Sequence, residues 1–178
     1  MNPYRIYVRK HSSSMYGVSL LSIVKLPQME RQMVEELLNN QVICRIAFRG
    51  DDYPYMAPFQ YAYVNGTLFF HFTRYGKKII LLEQDNRVAV EIETYQPDLH
   101  QYCFVVFRGE LEVVSDPVER EKAINRMAEF GTKHLSPNFL AAHGLKKSDG
   151  WQALNPEKPL NIVKLKNIVE TIALGSPE

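Results

Sequence analysis

The chain reads as a mainly β domain: a six-stranded antiparallel barrel with peripheral helices. Six segments alternate apolar and polar residues at period two. The first three follow one another with only turn residues between them, which excludes the crossover connections of a parallel sheet. Helical stretches are few and fall between strands, so they pack outside rather than form a layer of their own.

Pro27 precedes QMERQMVEELLNN (28–40), where Met29, Met33, Leu37 and the pair Val34/Leu38 recur at helical spacing. An amphipathic helix is predicted, ending near Asn39–Asn40. In VICRIAFR (42–49) the period changes to two, and Gly50-Asp51-Asp52 makes a turn. A second strand runs from Tyr55 to Val64, Asn65-Gly66 is a hairpin turn, and TLFFHFT (67–73) is the third strand. GKKIILLEQ (76–84) reads as a short helix, RVAVEIE (87–93) as a strand and 95–101 as a polar loop. YCFVVFRGELEVV (102–114) is a long strand with Gly109 as a bulge or bend. Asp116 (N-cap), Pro117 (N1) and Glu119 (N3) start a helix that runs to about Phe130 and stops at Gly131. Residues 132–159 are irregular, and LNIVKLKNIVETIAL (160–174) is one bent strand or two short ones. The organisation is an extension, 1–27, followed by one domain, 28–174.

Composition narrows the function classes. Lys+Arg 21 against Asp+Glu 20 gives a net charge of +1, too little for a nucleic-acid-binding field. A length of 178 residues, 46% hydrophobic, supports a core without metal or disulfide staples. Cys44 and Cys103 lack CxxC spacing and read as buried thiols in a reducing cytoplasm. No run reaches the ~20 apolar residues of a membrane helix. MYGVSLLSIV (15–24) is short and lacks a small-residue cleavage site, so a cytoplasmic protein is expected. Histidines 11, 71, 100, 134 and 143 lack metal-ligand spacing, and no GxSxG elbow, Walker loop or Rossmann fingerprint is present.

The hairpin carries the candidate chemistry. A two-residue turn at Asn65-Gly66 pairs Val64 with Thr67, Ala62 with Phe69, Gln60 with His71 and Pro58 with Thr73. One face then presents Phe59, Tyr61, Tyr63, Leu68, Phe70 and Phe72, the expected barrel interior. The other presents Pro58, Gln60, Ala62, Phe69, His71 and Thr73. That mixture suits a planar heterocycle with hydrogen-bonding edges, or equally a solvated sheet face. Gly76 then opens a helix with Lys77 and Lys78 in its first turn, where cations are unfavourable unless an anion docks on the same amides.

The run CRIAFRGDDYPYMAPFQYAYVNGTLFFHFTRYGKK resembles the FMN-binding split-barrel proteins related to pyridoxamine-phosphate oxidase, in particular the nitroimidazole-resistance (Nim-like) group. Arg45-Ile46-Ala47, Tyr53-Pro54, Pro58, Tyr61, Phe70-His71 and Gly76-Lys77-Lys78 carry the likeness, which spans about residues 28–173. It implies a six-stranded antiparallel split β-barrel and a homodimer with FMN at the interface. Met56, Ala57, Pro58, Phe59, Gln60 and Tyr61 would line the isoalloxazine. His71 and Thr73 would lie by the ribityl or phosphate end, and Lys77 and Lys78 would hold the phosphate. Arg45 or a lysine would serve as donor at the flavin N1/O2 edge, and Phe104 would contact the flavin of the opposite subunit. The stretch 131–159, with Trp151, departs from the family, and no pyridoxal-phosphate-binding pattern appears at the C-terminus.

The function expected from the resemblance is FMN-dependent oxidoreduction of small acceptors such as nitroaromatic compounds, with NAD(P)H as a transient donor. His71 is the acid/base candidate. The alternatives are a haem-binding split barrel, with His71, His100, His134 or His143 as axial ligand, and a non-catalytic FMN-binding or storage module.

Overall fold

The computed structural model describes residues 25–176. The proposed extension therefore falls almost wholly outside the described residues. Helix α1 (Arg31–Asn40) is followed by β1 (Ile43–Phe48), β2 (Tyr55–Val64) and β3 (Thr67–Phe72), then α2 (Lys77–Gln84), β4 (Arg87–Tyr95), β5 (Tyr102–Val113), α3 (Pro117–His134) and β6 (Asn161–Ser176). The six strands close into an antiparallel barrel in the order β1-β2-β3-β6-β5-β4.

The hairpin forms as read. Asn65 and Gly66 adopt φ of 50° and 80°, the pair of positive values a tight type I′ turn requires, and Val64 pairs with Thr67 and Ala62 with Phe69. The alternation that follows puts Phe59, Tyr61, Leu68, Phe70 and Phe72 inside the barrel with Ile46, Phe48, Val90, Ile92, Val105, Phe107 and Val163. Val34, Leu37 and Leu38 of α1 pack onto the same core, and the Tyr61 hydroxyl donates to the Leu38 carbonyl at 3.0 Å.

Gly109 marks a register shift between Arg108 and Glu110 opposite β6; a Cβ there would lie 2.7 Å from the Lys166 carbonyl oxygen. Asp116 caps α3, accepting from the Val118 and Glu119 amides at 2.8 and 2.9 Å.

Three sequence expectations change, and one open alternative closes. Helix α1 begins at Arg31 rather than 28, because the Met29 amide donates to Ala173 and Pro27 accepts from Gly175, which ties 27–29 to β6. Helix α3 does not stop at Gly131 but runs to His134. The glycine lies inside the helix because the Trp151 indole sits on it, where a Cβ would overlap the ring. The stretch 132–159 is not structureless: three short 3₁₀ turns, Pro137–His143, Lys147–Asp149 and Trp151–Ala153, lie along it. The last strand is a single one, irregular at Asn167, whose φ is 47°.

A second core lies outside the barrel. Ala62 and Phe69 of the hairpin and Ile162 of β6 meet Ala123, Ile124 and Met127 of α3, and Leu140, Trp151 and Leu154 complete it. Arg120 clamps this cover by donating to the carbonyls of Leu160 (3.2 Å), Pro156 (2.8 Å) and Lys158. Gln60, Ala62, Phe69 and His71 of the mixed hairpin face are therefore interior, while Pro58 is exposed and Thr73 half-buried, and that determines what the polar residues can do.

Candidate functional site

The end of β3 and the start of α2 form one cluster. Gly76 adopts φ 94°, ψ 169°, a left-handed conformation that only glycine enters without strain. It has no side chain to cap the first amides of α2, and no acidic residue lies in the first turn. Lys78 folds back over this start: its Nζ donates to Thr73 Oγ1 at 2.6 Å and to the Tyr75 carbonyl at 3.4 Å. Both acceptors are neutral, and among the described residues Lys78 has no carboxylate partner. Partial burial lowers its pKa accordingly. Lys77 Nζ lies 5.6 Å above the Tyr55 ring. Two ammonium groups and uncapped amides at the positive end of a helix, beside a Thr73 hydroxyl that donates to the Tyr75 carbonyl at 3.3 Å, together make a site that gains stability when an anion enters.

Residues 56–61 divide by face. Met56 and Pro58 point outward and are exposed, Met56 at 62%. Ala57, Phe59 and Tyr61 point into the barrel, so a ligand outside could meet their backbone but not their side chains. Of the backbone and side chains of Met56 to Tyr61 expected along the isoalloxazine, the side chains of Ala57, Phe59 and Tyr61 are turned away from any outside ligand. The β2–β3 ladder ends at the Tyr61–Phe70 pair, so Gln60 does not pair directly with His71, nor Pro58 with Thr73. Pro58 has no N–H to continue it.

His143 joins Gln60 to His71 instead. Its Nε2 donates to Gln60 Oε1 at 2.7 Å, and its Nδ1 lies 3.0 Å from His71 Nδ1. Gln60 Nε2 donates in turn to the Met127 carbonyl at 3.2 Å. The tautomers follow: with the His143 proton on Nε2, His143 Nδ1 accepts and His71 Nδ1 donates. The rings stack at 5.2 Å, and Gln60, His71 and His143 are only 3%, 6% and 5% exposed. Burial holds both imidazoles neutral, with pKa values lowered to about 4 for His71 and about 3 for His143. Lys78 and Arg120 add to the effect at His71, and His71 itself adds to it at His143. His71 is therefore uncharged at neutral pH, which removes the general-acid half of its acid/base reading; in the structure its ring bonds His143 of the 3₁₀ stretch.

Arg45 lies on the outer face of β1 and donates to Glu91 at 3.1 Å and Glu93 at 2.6 Å. It is committed to carboxylates of its own sheet rather than standing at the α2 cluster. Phe104 is half-buried on the outer face of β5, stacked on Tyr102 at 5.4 Å. Of the other histidines, His100 bonds Asp98 at 2.5 Å and His134 packs on Phe130 at 4.5 Å. Among the described residues no group of three or more His, Cys, Asp or Glu side chains could hold a metal ion, and no helix is long and apolar enough to cross a membrane.

Sequence reasoning named His143 only as a possible haem ligand and Trp151 only within a stretch that departs from the family; it did not find the bonds of His143 to Gln60 and His71 or the seat of Trp151 on Gly131. A single tryptophan in a stretch without pattern was one available signal, and a glycine within an otherwise strong helix was another. Nothing local connects His143 to a histidine 72 positions earlier.

A closed six-stranded barrel with a cationic helix start after its third strand can be compared with known families. The family model described as pyridoxamine 5'-phosphate oxidase matches residues 30–141, more than half of the chain. The chain belongs to this family. Solved structures of the same fold include an FAD-binding protein of Mesorhizobium loti (TM-score 0.61, 19% identity, covering 86% of this chain and 99% of that one). A candidate 5-nitroimidazole antibiotic resistance protein of Bacteroides thetaiotaomicron is similar too (0.59, 19%, 85% and 87%). So is an FAD and haem binding protein of Mycobacterium smegmatis (0.56, 15%, 84% and 72%). No curated protein sequence matches. At these identities the solved structures establish the barrel fold, and the family match covers every strand but β6.

Proposed function

We propose that this chain is a flavoprotein that binds FMN at the start of α2 and reduces small acceptors such as nitroaromatic compounds, with NAD(P)H as donor. The reading rests on one observation above all: a half-buried Lys78 ammonium, held only by neutral acceptors, at an uncapped helix N-terminus. A phosphate monoester supplies the missing charge. Lys78, Thr73 Oγ1 and the first amides of α2 would hold it, with Lys77 nearby. Family membership and the flavin-binding names of similar structures support the same reading. Exposed Met56 and Pro58 offer an outward surface for the isoalloxazine, alongside the backbone of β2. When bound, FMN supplies the hydride and electron chemistry, and the protein supplies position and electrostatics. With His71 neutral and buried, this reading gives it no proton to donate at pH 7.

The chain would act as a homodimer. Ala47 and Ala89 pair across β1 and β4, and Val106 and Ile172 across β5 and β6. Their outer sheet face, with Phe104 on it, is apolar in part and lies opposite the strands that α3 covers. A second copy seated there would bring its Phe104 toward the flavin. The test is a single preparation of purified protein offered FMN or FAD, followed by sedimentation and turnover. Bound flavin absorbance at twice the chain mass, with NAD(P)H-dependent loss of a nitroaromatic substrate, is the expected result. Protein that stays colourless with both flavins refutes the reading. Flavin that binds but is never reduced reduces it to a storage module.

A further inference from the structure

We infer that residues 137–153 form an acid-releasable cover on the barrel, latched by the single proton shared between His71 and His143. The geometry makes the latch sensitive to protonation. The cover reaches the barrel's polar residues through one ring, His143, whose two nitrogens are both used, one on Gln60 and one on His71. Two Nδ1 atoms 3.0 Å apart accommodate one proton between them; with a proton on each, two N–H groups face each other.

The surroundings give a positive charge no compensation. From α2 the facing charged group is Lys78, and from α3 it is Arg120, both cations. From β2 comes the Gln60 amide, from α3 the Met127 carbonyl, and from the cover itself the rings of Phe139 and Trp151, at 6.1 and 5.8 Å from His143. Among the described residues no carboxylate bonds either imidazole.

Once the cover lifts, both histidines return to the ordinary value near 6.5, whereas in the closed form they stay neutral down to about 4 and about 3. The open form therefore holds more protons between about pH 6.5 and about pH 3, below which both forms are fully protonated. The open-to-closed ratio rises by up to about 100-fold per pH unit between about pH 6 and 4, two protons being taken up. Above about pH 7 the latch is fully engaged.

The cover also adjoins the anion cluster. A Cβ on Gly144 would be 3.5 Å from Thr73 Cγ2 and 3.5 Å from the Tyr75 hydroxyl. Release would thus loosen the loop that carries the acceptors of Lys78. This second consequence rests on the phosphate reading above; the release itself does not.

Trp151 is the sole tryptophan of the chain and packs edge-on to His143, so its emission reports the latch directly. Between pH 7 and 4 its maximum is expected to move to the red and acrylamide quenching to rise, with a two-proton slope, while the far-UV circular dichroism of the barrel persists. A His71→Gln/His143→Gln variant should lose the pH dependence. If Trp151 stays protected until the dichroism is itself lost, or if the double variant keeps the wild-type profile, the cover proposal is wrong. Should that variant not fold, the wild-type comparison of the two signals still decides. FMN binding measured on the same samples separates the two claims. Failure to bind at pH 7 contradicts the phosphate cradle alone, and an unmoved Trp151 contradicts the cover alone.

Discussion

Trp151→Ala is expected to lower the unfolding free energy by about 3–5 kcal/mol, the range for truncating a large buried aromatic side chain. The indole is 4% exposed and sits on Gly131 in α3 against the edge of His143. Its Nε1 donates to the Leu135 carbonyl at 3.0 Å. Truncation leaves a cavity, because α3 is held in place by the Arg120 clamp and by packing on β2 and cannot collapse into it. It also removes the donor from the Leu135 carbonyl and opens the Gln60–His143–His71 chain to water, which places the loss toward the upper end of that range. Urea denaturation followed by circular dichroism measures the loss. A change under about 1 kcal/mol would mean that the second core does not hold the cover to the barrel.

Lys77→Ala/Lys78→Ala is expected to weaken FMN binding by about 30- to 1000-fold while leaving the fold intact. Charge-assisted hydrogen bonds contribute roughly 1.5–3 kcal/mol each, and Lys78, partly buried, should reach that range. Lys77 is exposed, so screening limits its share to about 1 kcal/mol or less. The sum, about 2–4 kcal/mol, converts to the stated factor. Thermal stability should barely change, since neither lysine forms an ion pair among the described residues and Lys78's acceptors are neutral. Flavin fluorescence titration of the variant against wild type checks it. Equal affinities would remove the lysines from the site.

The barrel was legible because its determinants are local. Period-two alternation, one Asn-Gly turn and one capped helix start decide most of the strand order. The inward set Phe59, Tyr61, Leu68, Phe70 and Phe72 follows from alternation alone. The cationic helix start was legible for the same reason, since Gly76, Lys77 and Lys78 are contiguous. What the alternation could not decide was what covers the other face. A mixed polar face looks the same whether it meets water, a cofactor or another part of the chain, and here it meets α3 and the 3₁₀ stretch. His143 reaches Gln60 across 83 positions and His71 across 72. No periodicity carries that information, and so His71 read as an acid/base candidate on a face that meets either a cofactor or water. Gly131 misled differently. As a helix terminator it obeyed a local rule, but its place is set by an indole 20 residues later in the chain.

The most direct measurement compares the wild-type protein's affinity for FMN with its affinity for riboflavin, which differs only in lacking the phosphate. If that phosphate is held by Lys78, Thr73 and the first amides of α2, FMN binds at least about 30-fold more tightly, and the difference disappears in Lys77→Ala/Lys78→Ala. Equal affinities in the wild type, or a preference for FMN that survives loss of both lysines, would show that the start of α2 is not where a flavin phosphate sits.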